Sequence, residues 1–161
     1  MEQVTFKVVK ANVYEEVAKT TSYTGAKMMA GDESAYSRIF TTDEDRLMLE
    51  RFWTEAANAV VDIFKPFILE VSDLTESHCC DLTRDFEATL ELSGSYDTSL
   101  NNTIGSSLFS FFTSFIVGKW YKFTNKQDAD AALTDASVFL DDVKSKIYYR
   151  KRPRRIAPAQ P

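Results

Sequence analysis

The stretch from Ile104 to Phe123, IGSSLFSFFTSFIVGKWYKF, constrains this chain more than any other. Its twenty residues carry only two charges, Lys119 and Lys122, both near the C-terminal end. At helical spacing, Ile104, Leu108, Phe111 and Phe115 form one stripe, and Phe109, Phe112, Ile116, Trp120 and Phe123 form the stripe beside it. So wide an apolar arc does not suit a surface helix with one buried face; it must be covered on two sides, by its own domain or by another subunit. A membrane span would need about 20 apolar residues, but Ser106, Ser107, Ser110, Thr113 and Ser114 bring the hydrophobicity below that of typical spans. The reading is a central helix and no membrane partner. Phe111, Phe112, Phe115 and Trp120 are expected in the subunit core, since each aromatic left in water forfeits roughly 1.5–3 kcal/mol. Because the arc is wide enough for a second use, Phe109, Phe112, Ile116 and Trp120 are the candidate subunit interface.

Two further helices flank this one. TTDEDRLMLERFWTEAANAVVDIFKPFI opens with Thr41 or Thr42 as N-cap and Asp43, Glu44 and Asp45 in the first turn, where the helix dipole favours acids. Leu49, Phe52, Trp53, Ala56, Val60, Ile63, Phe64 and Phe67 make its stripe, and Pro66 should end it near Lys65. The third follows Thr124 or Asn125 as cap and buries Ala129, Ala132, Leu133, Ala136, Phe139, Leu140, Val143 and Ile147. Two segments alternate with the period of a half-buried strand: Val4 to Val9, and Thr83 to Leu92 with Phe86, Ala88, Leu90 and Leu92 on one side. Their pairing would give a small sheet. Asn12 with Glu15 predicts a two-turn helix, and Thr21 to Phe40, rich in Gly, Ser and Asp without a sustained period, reads as a long loop. The fold class is therefore α+β, mostly α: three main helices, a small two-stranded sheet, and an extended basic C-terminal tail. Residues 1–149 form one domain and 150–161 the tail.

Catalytic chemistry finds little to stand on. The only histidine, His78, sits beside Cys79 and Cys80, and adjacent side chains rarely reach one tetrahedral ion together. No phosphate-cradling Gly-rich loop, Cys-x-x-Cys pair or nucleophile elbow occurs. Neither an enzyme nor a cofactor is expected. The N-terminus lacks a secretory signal pattern, and adjacent cysteines do not staple distant segments, so synthesis in a reducing cytoplasm is expected.

Charge is where the chain is unusual. From Lys144 onward there are seven basic residues and no acid, whereas the rest holds 12 Lys and Arg against 24 Asp and Glu. Arg150, Lys151, Arg152, Arg154 and Arg155 are the candidate partner or DNA contact, because clustered cations release counterions when they neutralise a polyanion. Pro153 and Pro158 exclude helix there, and the segment is expected to be disordered in the isolated subunit. One function class follows directly: a cytoplasmic nucleic-acid-associated protein whose tail binds polyanions without sequence preference.

A second class comes from resemblance. VYEEVAKTTSYTGAK, TTDEDRLMLERFWTEA, a strand ending ELSGSYD, FIVGKWYKFTNKQDADA and YYRKRPRR, in that order, resemble a family of small virion proteins encoded by tailed phages and prophages of gut Bacteroidetes. The aromatic KWYKFTNK joint, the Ala-rich helix after it and the Arg-Lys-Arg-Pro ending carry most of the likeness. The resemblance implies a head–tail connector or neck component, found in the virion, whose partners are copies of itself in a ring, the portal and the tail or neck proteins, with possible non-specific DNA contact. It carries over no catalytic, cofactor or metal residue. A ring subunit needs two different lateral surfaces, for which the wide arc of Ile104 to Phe123 and the segment Thr21 to Phe40 are the candidates.

Overall fold

A computed structural model describes residues 1–72 and 84–155. Strand β1 (Glu2–Val8) leads into helices α1 (Lys10–Met28) and α2 (Ala35–Ile39), then α3 (Arg46–Phe64), strands β2 (Ile68–Val71) and β3 (Phe86–Leu92), and the long helices α4 (Asn101–Thr124) and α5 (Lys126–Tyr148). The α+β, mostly helical expectation holds. Among the described residues, however, there are four long helices in place of three, and the antiparallel sheet has three strands in the order β1-β3-β2 in place of two.

The sheet shows why its strands were only partly legible. β1 and β3 pair from Glu2 opposite Leu92 to Val8 opposite Phe86, and Phe6, Val8, Phe86, Ala88, Leu90 and Leu92 are buried on the shared face. β2 adds four residues to the far edge of β3 with a register shift between Ile68 and Glu70. It is short and largely exposed, so no alternation marks it in the sequence. The outward face carries Gln3, Thr5, Lys7, Glu87, Thr89, Glu91 and, opposite Thr89, Glu70.

The larger correction concerns Thr21 to Phe40. This segment is the second half of α1 followed by α2, not a loop. The buried stripe of α1 runs Lys10, Val13, Val17, Thr21, Gly25, so the helical period continues through residues that read as breakers. Thr21 fits because its hydroxyl donates to the Val17 carbonyl at 2.9 Å and accepts from the Thr41 amide at 3.3 Å. Gly25 fits because α2 crosses at backbone distance: a Cβ there would lie 2.9 Å from the Tyr36 Cα. Nor does Asn12 cap α1, which begins at Lys10; the Lys10 amide instead donates to Asp85 Oδ1, at the foot of β3, at 2.9 Å. The cap is tertiary and has no local spacing.

α3 ends where its signals put it, but the expected acidic first turn is a separate 3-10 turn, Asp43–Asp45, and α3 begins at Arg46 after it. Thr42 and Asp45 form a capping box, and Lys65 closes the helix before Pro66. α4 and α5 fold as an antiparallel hairpin about the single joint Asn125, whose side chain donates to Asp128 Oδ2 at 2.7 Å. Their close approach falls at Gly118, where a Cβ would meet Leu133 side-chain atoms at 2.7 and 2.8 Å.

The core gathers around α4. Phe112 is fully buried, with ring centroids 4.5 Å from Trp53 of α3, 5.5 Å from Phe86 of β3 and 5.8 Å from Phe111. Replacing Phe112 by Ala should therefore cost on the order of 3–5 kcal/mol, read as a lowered urea midpoint at an unchanged slope. An unaltered midpoint would mean that the ring does not carry the junction of helix and sheet.

Candidate interaction site

The basic tail begins as structure. Tyr96, fully buried after the Ser93 turn, forms an antiparallel bridge with Arg150, and the Lys151 amide donates to the Ser95 carbonyl at 2.8 Å. The Lys151 ammonium lies 3.5 Å from Asp97 Oδ1. Arg150 turns back onto α5, donating from Nη1 to the Ile147 carbonyl at 2.8 Å and the Tyr149 carbonyl at 2.9 Å. Those carbonyls close the helix, and a guanidinium is suited to the negative end of its dipole. Tyr148 packs edge-on against Phe67 at 5.2 Å. Arg150 and Lys151, expected to be the first residues of a disordered arm, are thus tied down by backbone pairing that a charge run does not reveal.

Local chemistry holds this root together. The Tyr96 hydroxyl donates to Asn101 Oδ1 at 2.6 Å, linking the turn to the start of α4. Burial pushes the Tyr96 phenol up to about 12, with the charges of Asp97 and Glu2 adding to the effect. Asp97 accepts from the Ser99 hydroxyl at 2.8 Å and the Ser99 amide at 3.1 Å, and these bonds hold its carboxyl below the usual carboxylate range, with Lys151 contributing less.

Beyond the root, Arg152, Arg154 and Arg155 are exposed and form no ion pair among the described residues. The five-residue candidate contact therefore divides into two residues that build the root and three that are free to meet a partner. Residues 156–161 lie outside the described residues, as do His78, Cys79 and Cys80.

The four residues of the candidate subunit interface lie in, or packed against, the core of their own chain. Phe112 and Ile116 are fully buried in their own chain, and Trp120 is buried with its Nε1 donating to the Ile39 carbonyl at 2.7 Å. Phe109 is half-buried against the core. Helices α1 to α3 and the sheet cover the arc on one side and α5 on the other, so these four residues offer no lateral surface. Of this arc, Phe123 is the aromatic left exposed; it stacks on Phe52 at 6.4 Å beside Met48, in a shallow cleft of about 150 Å³ edged by Arg51, Lys119 and Lys122.

A second cleft, of about 500 Å³, lies between α1 and the start of α3. Below it Lys10, 4% exposed, pairs with Glu50 at 2.5 Å, and Tyr14 donates to the same carboxylate at 3.0 Å. Burial and the Glu50 charge push the Tyr14 phenol up. Every strong partner in this cluster is internal, which makes it a structural ion pair. Among the described residues no three His, Cys, Asp or Glu side chains gather as a metal-binding group, and no helix is long and apolar enough to cross a membrane. No family model, curated protein or solved structure matches the chain.

Two outcomes follow for the root. Deleting residues 152–161 should leave the thermal midpoint nearly unchanged, whereas deleting 150–161 should remove about 1–3 kcal/mol of hydrogen bonding and lower the midpoint by several degrees; equal midpoints would mean the root bears no load. Tyr96, whose phenol pKa is raised above its ordinary 10.0, contributes stability that is complete below pH 10 and is lost as pH rises towards 12. Tyr96→Phe should flatten part of that alkaline decline in a denaturation series, and an identical decline in the variant would assign it to other groups.

Proposed function

We propose that this chain is a virion structural subunit, a head–tail connector or adaptor that assembles as a ring between portal and tail. The observation that carries the reading is a basic arm with a fixed root on an acidic body: Arg150 and Lys151 are pinned while Arg152, Arg154 and Arg155 have no ion-pair partner among the described residues. An arm fixed at its origin reaches a neighbour in a defined direction, which is what a repeated contact around a ring requires. The residue-level resemblance to small phage neck proteins supports the same role, and the helical body supplies a rigid wall. A net acidic wall would weakly repel duplex DNA passing through such a ring. The subunit would be made in the host bacterial cytoplasm and end in the particle.

The free arginines also favour the second reading, a polyanion-binding protein that forms no ring. Cryo-electron microscopy of the parent particle, or of the purified protein at high concentration, separates the two. The connector reading expects a closed ring at the head–tail junction. A particle without this chain, together with salt-dependent binding of the purified protein to duplex of random sequence, would overturn it in favour of the second.

A further inference from the structure

We propose that Arg152, Arg154 and Arg155 of one copy dock on the outward, helix-free face of the sheet of a second copy, so that arm and sheet form a head-to-tail contact between identical chains. The inference rests on the connector reading only in that both require a second copy.

The outward sheet face is the acceptor. Glu87 and Glu91 lie on β3 and Glu70 on the adjacent β2; the bases beside them are Lys7, which is 3.6 Å from Asp85 and 3.9 Å from Glu87, and Arg84, which lines one cleft with Lys7, Glu70 and Glu87. Glu70 and Glu91 form no ion pair among the described residues. The face is otherwise Gln3, Thr5 and Thr89, with the two threonine hydroxyls bonded to each other at 2.9 Å. It is polar and net acidic, with a cleft of about 420 Å³ among Lys7, Glu70, Arg84 and Glu87, and the helices pack on the opposite side.

The donor is the arm. Among the described residues Arg152, Arg154 and Arg155 form no ion pair, although the chain carries the acidic face. Pro153 fixes one backbone dihedral and keeps the segment extended. In an extended chain, Arg152 and Arg154 project to the same side about 7 Å apart. Strand geometry puts Glu70 about 8 Å from both Glu87 and Glu91, one strand over and two residues along. The spacing and the sign of charge match, and bidentate guanidinium–carboxylate pairing would give the contact orientation as well as attraction. Because donor and acceptor are different surfaces of one chain, the contact is heterologous and propagates from copy to copy.

Charge reversal tests it without disturbing the core, since every altered side chain is exposed or half-buried on the sheet's outer face. One variant carries Arg152→Glu, Arg154→Glu and Arg155→Glu; the other carries Glu70→Lys, Glu87→Arg and Glu91→Lys. Sedimentation velocity at low salt should show self-association of the wild type weakened at least roughly tenfold in each variant alone, and restored when the two variants are mixed. Variants that associate like the wild type, or a mixture that stays dissociated, would overturn the proposal. A photo-cross-linker at position 154 in otherwise unaltered protein, used in a mixture of isotopically heavy and light copies, gives the second measurement. Heavy–light links to the peptide containing Glu87 and Glu91 are expected; links only within one copy would mean that the arm covers its own sheet. Arm-to-sheet links without a closed ring would keep this contact and remove the connector reading, while a ring whose links miss the sheet would do the reverse.

Discussion

Phe112 is the side chain on which the rest of the structure depends. It stands in the middle of the longest helix and touches Trp53 of α3 and Phe86 of β3, so that one ring joins the helical layer to the sheet. The aromatic contacts require α4 to run beneath β1 and β3 with its arc turned inward, and this leaves the other flank of α4 to be closed by α5 through Gly118 and Leu133. An arc too wide for a surface helix is thereby used up inside one subunit. Phe109, Phe112, Ile116 and Trp120 are occupied at home, and the apolar side chains left exposed, among them Leu47, Phe123 and Val138, lie outside that set.

Three of the long helices, and the pairing of β1 with β3, were legible because each is written in apolar periodicity with a local start or stop: Thr42 with Asp45, Pro66 after Lys65, Asn125 with Asp128. The second half of α1 was not, since its inner stripe passes through Thr21 and Gly25, residues that serve by being small or by returning a hydrogen bond. Their fitness depends on Tyr36 and Thr41, up to twenty residues away in sequence. The tertiary cap from Asp85 and the tail root at Ser95 and Tyr96 share that property. Local composition identified the basic arm; only the folded chain divides it into a pinned pair and a free trio.

The ion pair of Lys10 and Glu50 shows a different economy of charge from the arm. Lys10 is 4% exposed and follows β1 directly, its amide held by Asp85 and its ammonium by Glu50, with the Trp53 ring centroid 5.7 Å away. Removing either partner would strand a buried charge, so the pair fixes where α1 leaves the sheet and how it meets α3 more than it adds to stability. Those two orientations set the side of the sheet on which the helices lie, and with it the side that stays open.

That open side and the root of the arm have a physical consequence together. A freely hinged arm would spread its three arginines over a large volume, and each contact with a neighbour would bear the entropy of gathering them. Anchoring Arg150 and Lys151 fixes where Arg152 to Arg155 begin, and Pro153 restricts the backbone between them, so in the proposed contact the effective concentration of arginine near a correctly placed second copy would rise without any increase in affinity for anions in general. The acidic body works in the same direction, because it repels another body approaching in any orientation that does not bring an arm to a sheet. In the proposed ring, weak individual ion pairs at an exposed surface would then suffice, since it is their repetition from copy to copy, and not the strength of any one, that would hold the copies in register.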